Sequence, residues 1–262
     1  MSIKKIFKQA TDTYAANFSP IMKRIWLPTL VLAIDIAVIF ATFFAIISLE
    51  YPSRICGALF LLAIFAQIFL LPYVGTKLTA SDKILSPQKQ YNRLLKLTIC
   101  ITLIVALICA LAWLLQRAVA TTLSIPIAVA LAVAAGLSIL ILLPTFALQA
   151  DYATNPETSL LDVFRPKKIF HRFWKNLGIA FITLIIYSLI ALVFALPLII
   201  LLIAAIENQF STFAYGDANG LNAYFLPLIA FAAVIATFGA CGTAAWAFFV
   251  AYYTHKDIAS NS

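Results

Sequence analysis

Apolar residues run in six long blocks separated by short polar gaps, at about residues 26–49, 54–76, 97–115, 119–148, 177–206 and 221–253. A helix needs about 20 apolar residues to cross a hydrocarbon core of roughly 30 Å, and each block approaches or exceeds that length. The pattern predicts an all-α fold, a polytopic six-helix transmembrane bundle. Blocks four to six are longer than a crossing requires, with Pro126, Pro197 and Pro227 as expected kink or start points. The gaps at 50–53 and 116–118 are so short that blocks one and two, and blocks three and four, should form tight antiparallel hairpins. The gap at 207–220 is longer and carries the turn formers Gly216-Asp217 and Asn219-Gly220.

The remaining gaps have a helical pattern of their own. Over residues 3–18, Ile3, Ile6, Phe7, Ala10, Tyr14 and Phe18 fall on one side, with Lys4, Lys5, Lys8 and Asp12 opposite. This predicts a basic amphipathic helix lying in the membrane interface. Ser19-Pro20 then reads as an N-cap with Pro at N1, opening a new helix into span one. Ser86-Pro87 and Asn155-Pro156 open similar approaches to spans three and five. At Pro166 the apolar stripe changes phase, from Leu160, Val163 and Phe164 to Ile169, Phe170 and Phe173, which predicts two short helices. Leu70-Leu71-Pro72 and Leu142-Leu143-Pro144 close the preceding spans alike, so the chain reads as a weak repeat of hairpin plus interfacial helix. The organisation is residues 1–25 as amphipathic helix and approach, 26–253 as membrane domain, and 254–262 as tail.

Charge orients this arrangement. All but two of the 18 lysines and arginines fall before span one, between spans two and three, between spans four and five, or after span six; Arg54 and Arg117 are the exceptions. This positive-inside distribution predicts a six-span membrane protein with both termini in the cytoplasm. The net charge of +8 therefore reflects topology, and nucleic acid is not an expected partner. Lys4, Lys5, Lys8, Lys89, Arg93, Lys168, Arg172 and Lys175 are candidate contacts for anionic lipid headgroups. The first span follows an amphipathic segment and lacks a small-residue cleavage site, so it is expected to remain as a signal anchor. Composition agrees with the class: 64% apolar and 11% charged.

A further pattern lies in Leu142-Leu143-Pro144-Thr145-Phe146-Ala147-Leu148, then Asp151, then Ser159-Leu160-Leu161-Asp162-Val163-Phe164, then Phe173-Trp174-Lys175-Asn176-Leu177-Gly178. With Thr13-Tyr14 to Phe18, it resembles the six-span membrane domains attached to some glycerophosphodiester phosphodiesterases, and stand-alone bacterial envelope proteins of that shape. The resemblance covers about a third of the chain. It implies a bacterial cytoplasmic-membrane protein, and it brings no catalytic residues, because the phosphodiesterase domain itself is absent from the pattern.

Candidate chemistry is sparse. Asp35 lies 11 residues beyond Arg24, which places it about 16 Å along the helix, near the hydrocarbon midplane. Gln67 and Tyr187 are at comparable depth, so Asp35, Gln67 and Tyr187 form a candidate intramembrane cluster. Two readings are open: a carboxylate that fixes helix register, or a proton or cation relay in a small transporter or channel. Ala128, Ala132 and Gly136, and Ala232, Ala236, Ala240 and Ala244 beside Gly239 and Gly242, are small-residue ladders for close packing within the chain or across a homodimer seam. Cys56, Cys100, Cys109 and Cys241 form no Cys-x-x-Cys pair, and His171 and His255 are distant from them, so neither a disulfide framework nor a zinc site is expected. There is no His-Glu-x-x-His, Gly-x-Ser-x-Gly or phosphate-loop motif. The expectation is a non-enzymatic scaffold, lipid-interacting or accessory component without cofactor. Its expected partners are the bilayer, a second copy or another membrane protein; an intramembrane enzyme is the third alternative.

Overall fold

A computed structural model describes residues 2–48, 53–79, 85–119, 127–170, 173–215 and 224–259. Among these, every regular element is helical: α1 (Ile3–Ser48), α2 (Ser53–Thr79), α3 (Pro87–Val119), α4 (Ile127–Leu142), a 3₁₀ turn (Leu143–Thr145), α5 (Phe146–Thr154), α6 (Leu160–Val163), α7 (Pro166–Phe170), α8 (Phe173–Tyr215) and α9 (Phe225–Ala259). Six stretches are long and apolar enough to cross a membrane: Ile3–Phe43, Arg54–Leu78, Pro87–Arg117, Ala132–Thr154, Phe173–Asn208 and Phe225–Ala259. The chain is thus a multi-pass helical membrane protein. Its outer surface fits lipid as the solvent. Leu103, Leu107 and Leu111 repeat every fourth residue along α3 and are each more than half exposed, a stripe that water would penalise.

The chain divides into two compact units. Unit one comprises Met1–Thr11, Thr79–Thr183 and Phe248–Ser262. Here α3 packs along α4, and Leu97, Tyr152 and Val163 form a core covered by Ile101, Leu148, Leu160 and Phe164. Ile6 and Ala10, from the apolar face of the amphipathic N-terminal segment, are fully buried in protein, while Lys4, Lys5 and Lys8 opposite them are exposed. Unit two comprises Asp12–Leu78 and Leu184–Ala247. Its core joins Leu198 and Ala205 of α8 to Ile229 and Ala232 of α9, with Phe40 of α1 packed against them. Phe43 of α1 meets Phe60 of α2, ring centroids 6.3 Å apart.

Helix boundaries differ from the sequence expectation at three prolines. Ser19-Pro20 starts no new helix, because α1 runs through both Pro20 and Pro28. An unbroken helix keeps Tyr14 in register with Ile21, Ile25, Thr29 and Leu32, and the last four are buried. Burial of that stripe outweighs the missing proline N–H. Asn155-Pro156 starts no helix either. Asn155 ends α5 in an extended conformation, and Ser159 is the N-cap of α6. Leu-Leu-Pro behaves differently at its two occurrences: Pro72 stays inside α2, whereas Pro144 sits in the 3₁₀ turn that joins α4 to α5. Helical residues therefore continue past residue 148 to Thr154, and α8 continues past 206 to Tyr215. The two short helices predicted around Pro166 are present as α6 and α7. Pro197 lies within α8 and Pro227 in the first turn of α9, whereas Pro126, residues 50–52, the turn formers of 216–220 and the last three residues lie outside the described residues.

The small-residue ladder of α9 packs within the chain. A Cβ added at Gly239 would overlap Cβ and Cγ of Phe194 on α8, and Gly242 faces Met22 and Tyr14 of α1. In the α4 ladder Ala132 is exposed, and Gly136 has open space around it. Gly239→Ala should therefore lower stability by about 1–3 kcal/mol. Gly178→Ala, at a helical glycine with nothing within 4 Å, should be neutral or slightly stabilising. Thermal unfolding of the two variants in detergent checks this, and equal midpoints would remove the close-packing role of Gly239.

Candidate functional site

The polar side chains of unit one converge around the end of α5. Helix α5 leaves its last carbonyls without intrahelical donors. Arg93, on α3, supplies them. Its Nε and Nη2 donate to the Tyr152 carbonyl at 2.9 and 2.8 Å. Nη2 also lies 2.8 Å from the Asn155 carbonyl and 2.6 Å from that of Thr158, and Nη1 donates to Pro156 at 3.1 Å. The guanidinium stacks over the Tyr152 ring at 4.2 Å. A planar fork suits such a carbonyl cluster, and a cation suits a helix C-terminus. The loop is closed from its other side by a capping box. Ser159 Oγ accepts from the Asp162 N–H at 3.3 Å, and Asp162 Oδ2 accepts from the Ser159 N–H at 3.1 Å.

This framework borders a cavity of about 460 Å³ between α5, α7, α8 and the end of α9. At its inner end are Asp151, Asn176 and His255. Asp151 Oδ1 lies 3.2 Å from His255 Nε2, and Asp151 Oδ2 accepts from Thr158 Oγ1 at 2.6 Å. Asn176 is 3% exposed, and its amide nitrogen donates to the Pro144 carbonyl. Two buried atoms here have no hydrogen-bond partner, Asn176 Oδ1 and His255 Nδ1. Arg165, Lys167 and Lys168 lie at the exposed side of the cavity, and Leu148 and Ile258 give it apolar wall.

Lys168 Nζ lies 3.1 Å from Asp162 Oδ1. The hydrogen bond from Lys168, then those from the Ser159 side chain and backbone, lower the Asp162 carboxyl from its ordinary range to about 2. A depressed carboxylate contributes its stability fully above the ordinary range and loses it only as pH falls toward that lowered value. The α6–α7 corner therefore keeps its charges across the physiological range. Deeper in unit one, Lys175 Nζ is 2.6 Å from Asp257 Oδ2, whose side chain is 3% exposed.

These contacts divide the candidate headgroup residues. Lys4, Lys5, Lys8 and Lys89 are exposed on the protein surface, and Lys168 is exposed beside Asp162. Arg93 donates to loop carbonyls, and Lys175 pairs with the buried carboxylate of Asp257. Arg172, like His171, lies outside the described residues. In unit two, Gln67 Nε2 donates to Asp35 Oδ2, joining α2 to α1. Tyr187, the third candidate, is half-buried on α8, and no hydrogen bond joins it to the pair. Among the described residues no three His, Cys, Asp or Glu side chains are grouped to hold a metal ion. The Asp151–His255 pair and the unpartnered Asn176 oxygen were missed in sequence, because 79 and 104 positions separate these partners along the chain. Arg93 carried a faint signal, as the single arginine on a face otherwise made of Lys89 and Lys96.

Comparison with protein families, curated proteins and solved structures finds no match.

Arg93→Ala should cost at least about 2 kcal/mol, since several carbonyls lose their donor together. Arg93→Lys should recover at most about half, because an ammonium lacks the fork and the stacking plane. Denaturation in detergent reads both, and full rescue by lysine would show that charge alone matters. For the second pair, Asp35→Asn should fold normally, and Asp35→Leu should lose roughly 1–2 kcal/mol by leaving Gln67 without its acceptor. A relay makes the opposite demand, since neither Asn nor Leu can release a proton. A stable Asp35→Asn variant with a lost growth or transport phenotype would overturn the register role.

Proposed function

We propose that the protein is a multi-pass component of a bacterial cytoplasmic membrane, with both termini in the cytoplasm. It acts without catalysis, as a scaffold or accessory protein that organises anionic lipid at the inner face. The observation that carries this reading is the segregation of lysine and arginine into alternate gaps, with Arg54 and Arg117 the sole departures. Exposure of Lys4, Lys5, Lys8, Lys89 and Lys96 supports it, because such side chains gain roughly 1 kcal/mol each near anionic headgroups. The burial of Ile6 and Ala10 supports a helix held at the interface by protein packing, with its basic side turned out. The bond between Gln67 and Asp35 supports a register role for the one carboxylate deep within a span. The resemblance to the membrane domains of glycerophosphodiester phosphodiesterases fits the same reading.

Single cysteines test the orientation in a background lacking the four native ones. Ser2→Cys, Ser81→Cys and Ser262→Cys should be shielded from a membrane-impermeant maleimide in intact cells, and Asn219→Cys should label. Labelling of Ser81→Cys from outside would reverse the assignment.

A further inference from the structure

A second cavity of unit one, of about 470 Å³, lies between the first turns of α3 and the loop that follows α5. Lys89, Asn92, Arg93 and Lys96 line it from α3, and Ser86, Leu85 and Pro156 border it. The four α3 residues stand at i, i+3, i+4 and i+7, so helical geometry puts them on one face. Each of them can donate a hydrogen bond, and lysine and arginine can only donate. No carboxylate of the described residues lines the cavity. Elsewhere in unit one, Lys168 faces Asp162 and Lys175 faces Asp257. Neither Lys89 nor Lys96 has an ion-pair partner among the described residues. Both are exposed, as is Asn92, so their polar ends are open to a ligand. Arg93 between them is held by loop carbonyls, which leaves its charge uncompensated by any acid. Like charges three and four residues apart on a helix repel, and an anion seated among them relieves that repulsion.

We propose that this cavity binds a phosphomonoester, the doubly charged terminal phosphate of a membrane lipid or of a small soluble molecule. Lys89 and Lys96 are about 10 Å apart along the axis of α3, with Asn92 between them. Their flexible four-carbon stems converge on a phosphate placed over Asn92. The phosphate oxygens accept from both ammonium groups and from the Asn92 amide, and Arg93 adds a fixed positive charge behind them. A terminal phosphate carries about −1.5 to −2 charges near neutral pH, whereas a phosphodiester carries a single one, so three cations favour the monoester. The cavity is larger than a phosphate and falls within the range of small-molecule sites. The remaining space, beside Leu85, Ser86 and Pro156, takes the group that bears the phosphate. With a lipid as the source, the inference rests on the proposed lipid-organising role and gives it a place; a soluble source stands without that role.

The test uses full-length protein in detergent near neutral pH and two matched pairs of probes. Phosphatidic acid is compared with phosphatidylglycerol by native mass spectrometry, and soluble glycerol 3-phosphate with glycerophosphoglycerol by calorimetry. In at least one pair the monoester should bind about tenfold or more tightly than the diester. Preference in the lipid pair alone assigns a lipid source, preference in the soluble pair alone a soluble one, and preference in both shows that the phosphate itself suffices. The double variant Lys89→Gln, Lys96→Gln, at two exposed positions, should lower monoester affinity by about tenfold or more. Asn92→Glu puts a carboxylate four residues before Lys96; it should abolish binding without lowering the unfolding midpoint. Lys4→Gln, Lys8→Gln removes the same charge from another exposed face and should change affinity by less than about twofold. Equal binding within both pairs would overturn the phosphomonoester. An equal loss in the Lys4, Lys8 variant, or unchanged binding in both folded α3 variants, would overturn the cavity as the site; anionic lipid still retained in those cases leaves the lipid-organising role standing. No binding of any of the four probes would sink both.

Discussion

Hydrocarbon offers a polypeptide no hydrogen bonds, and the described structure is organised around that constraint. Each polar group within a span must find its partner inside the protein. Three buried threonines do so locally: Thr183 bonds back to the Ile179 carbonyl at 2.7 Å, Thr237 to Ala233 at 2.6 Å and Thr254 to Val250 at 2.7 Å. Asp35 does so at long range, through Gln67. The same constraint explains why α1 continues through Pro20 and Pro28. A helix loses one bond at each proline, whereas a break would expose several backbone groups and move the Ile21–Leu32 stripe out of register.

Where α5 ends, the requirement becomes concentrated. A helix terminus, a Pro-containing loop and the start of α6 together present more carbonyls than the backbone can pair. One arginine from α3 reaches across to them while Ser159 and Asp162 close the loop behind. The cost of desolvating that guanidinium is offset by its hydrogen bonds and by the Tyr152 ring. Because this corner is braced, α5 and the α6–α7 corner can border a cavity with α8 and α9 whose inner polar atoms are left unpaired.

The basic residues illustrate how one sequence signal carries several roles. Their distribution between spans is a topological signal that needs no tertiary contact, because insertion responds to charge near span ends. Their individual tasks depend on what lies across from each. Lys89 and Arg93 share a helix face in sequence, yet Lys89 is exposed and Arg93 is locked to four carbonyls. Lys168 and Lys175 are seven residues apart, yet one holds the partly exposed Asp162 and the other the buried Asp257.

The sequence by itself determined the helical class, the six long apolar stretches, and the Pro166 boundary between α6 and α7. These follow from periodicity and length, which are local properties of the chain. It also placed Asp35 and Gln67 at matching depth, because rise per residue along a helix is constant. It misread Ser19-Pro20 and Asn155-Pro156, since the strength of a local cap signal does not include the burial gained by continuing a helix or the cap available at Ser159. Only the tertiary structure decided that Gln67 is the hydrogen-bond partner of Asp35, that Gly239 of the α9 ladder packs against Phe194 while Ala132 of the α4 ladder is exposed, and that Asp151, Asn176 and His255 line one cavity. Depth along a helix can be counted in residues, but rotation about its axis is set by the neighbours it packs against, and those contacts are not written in any single segment.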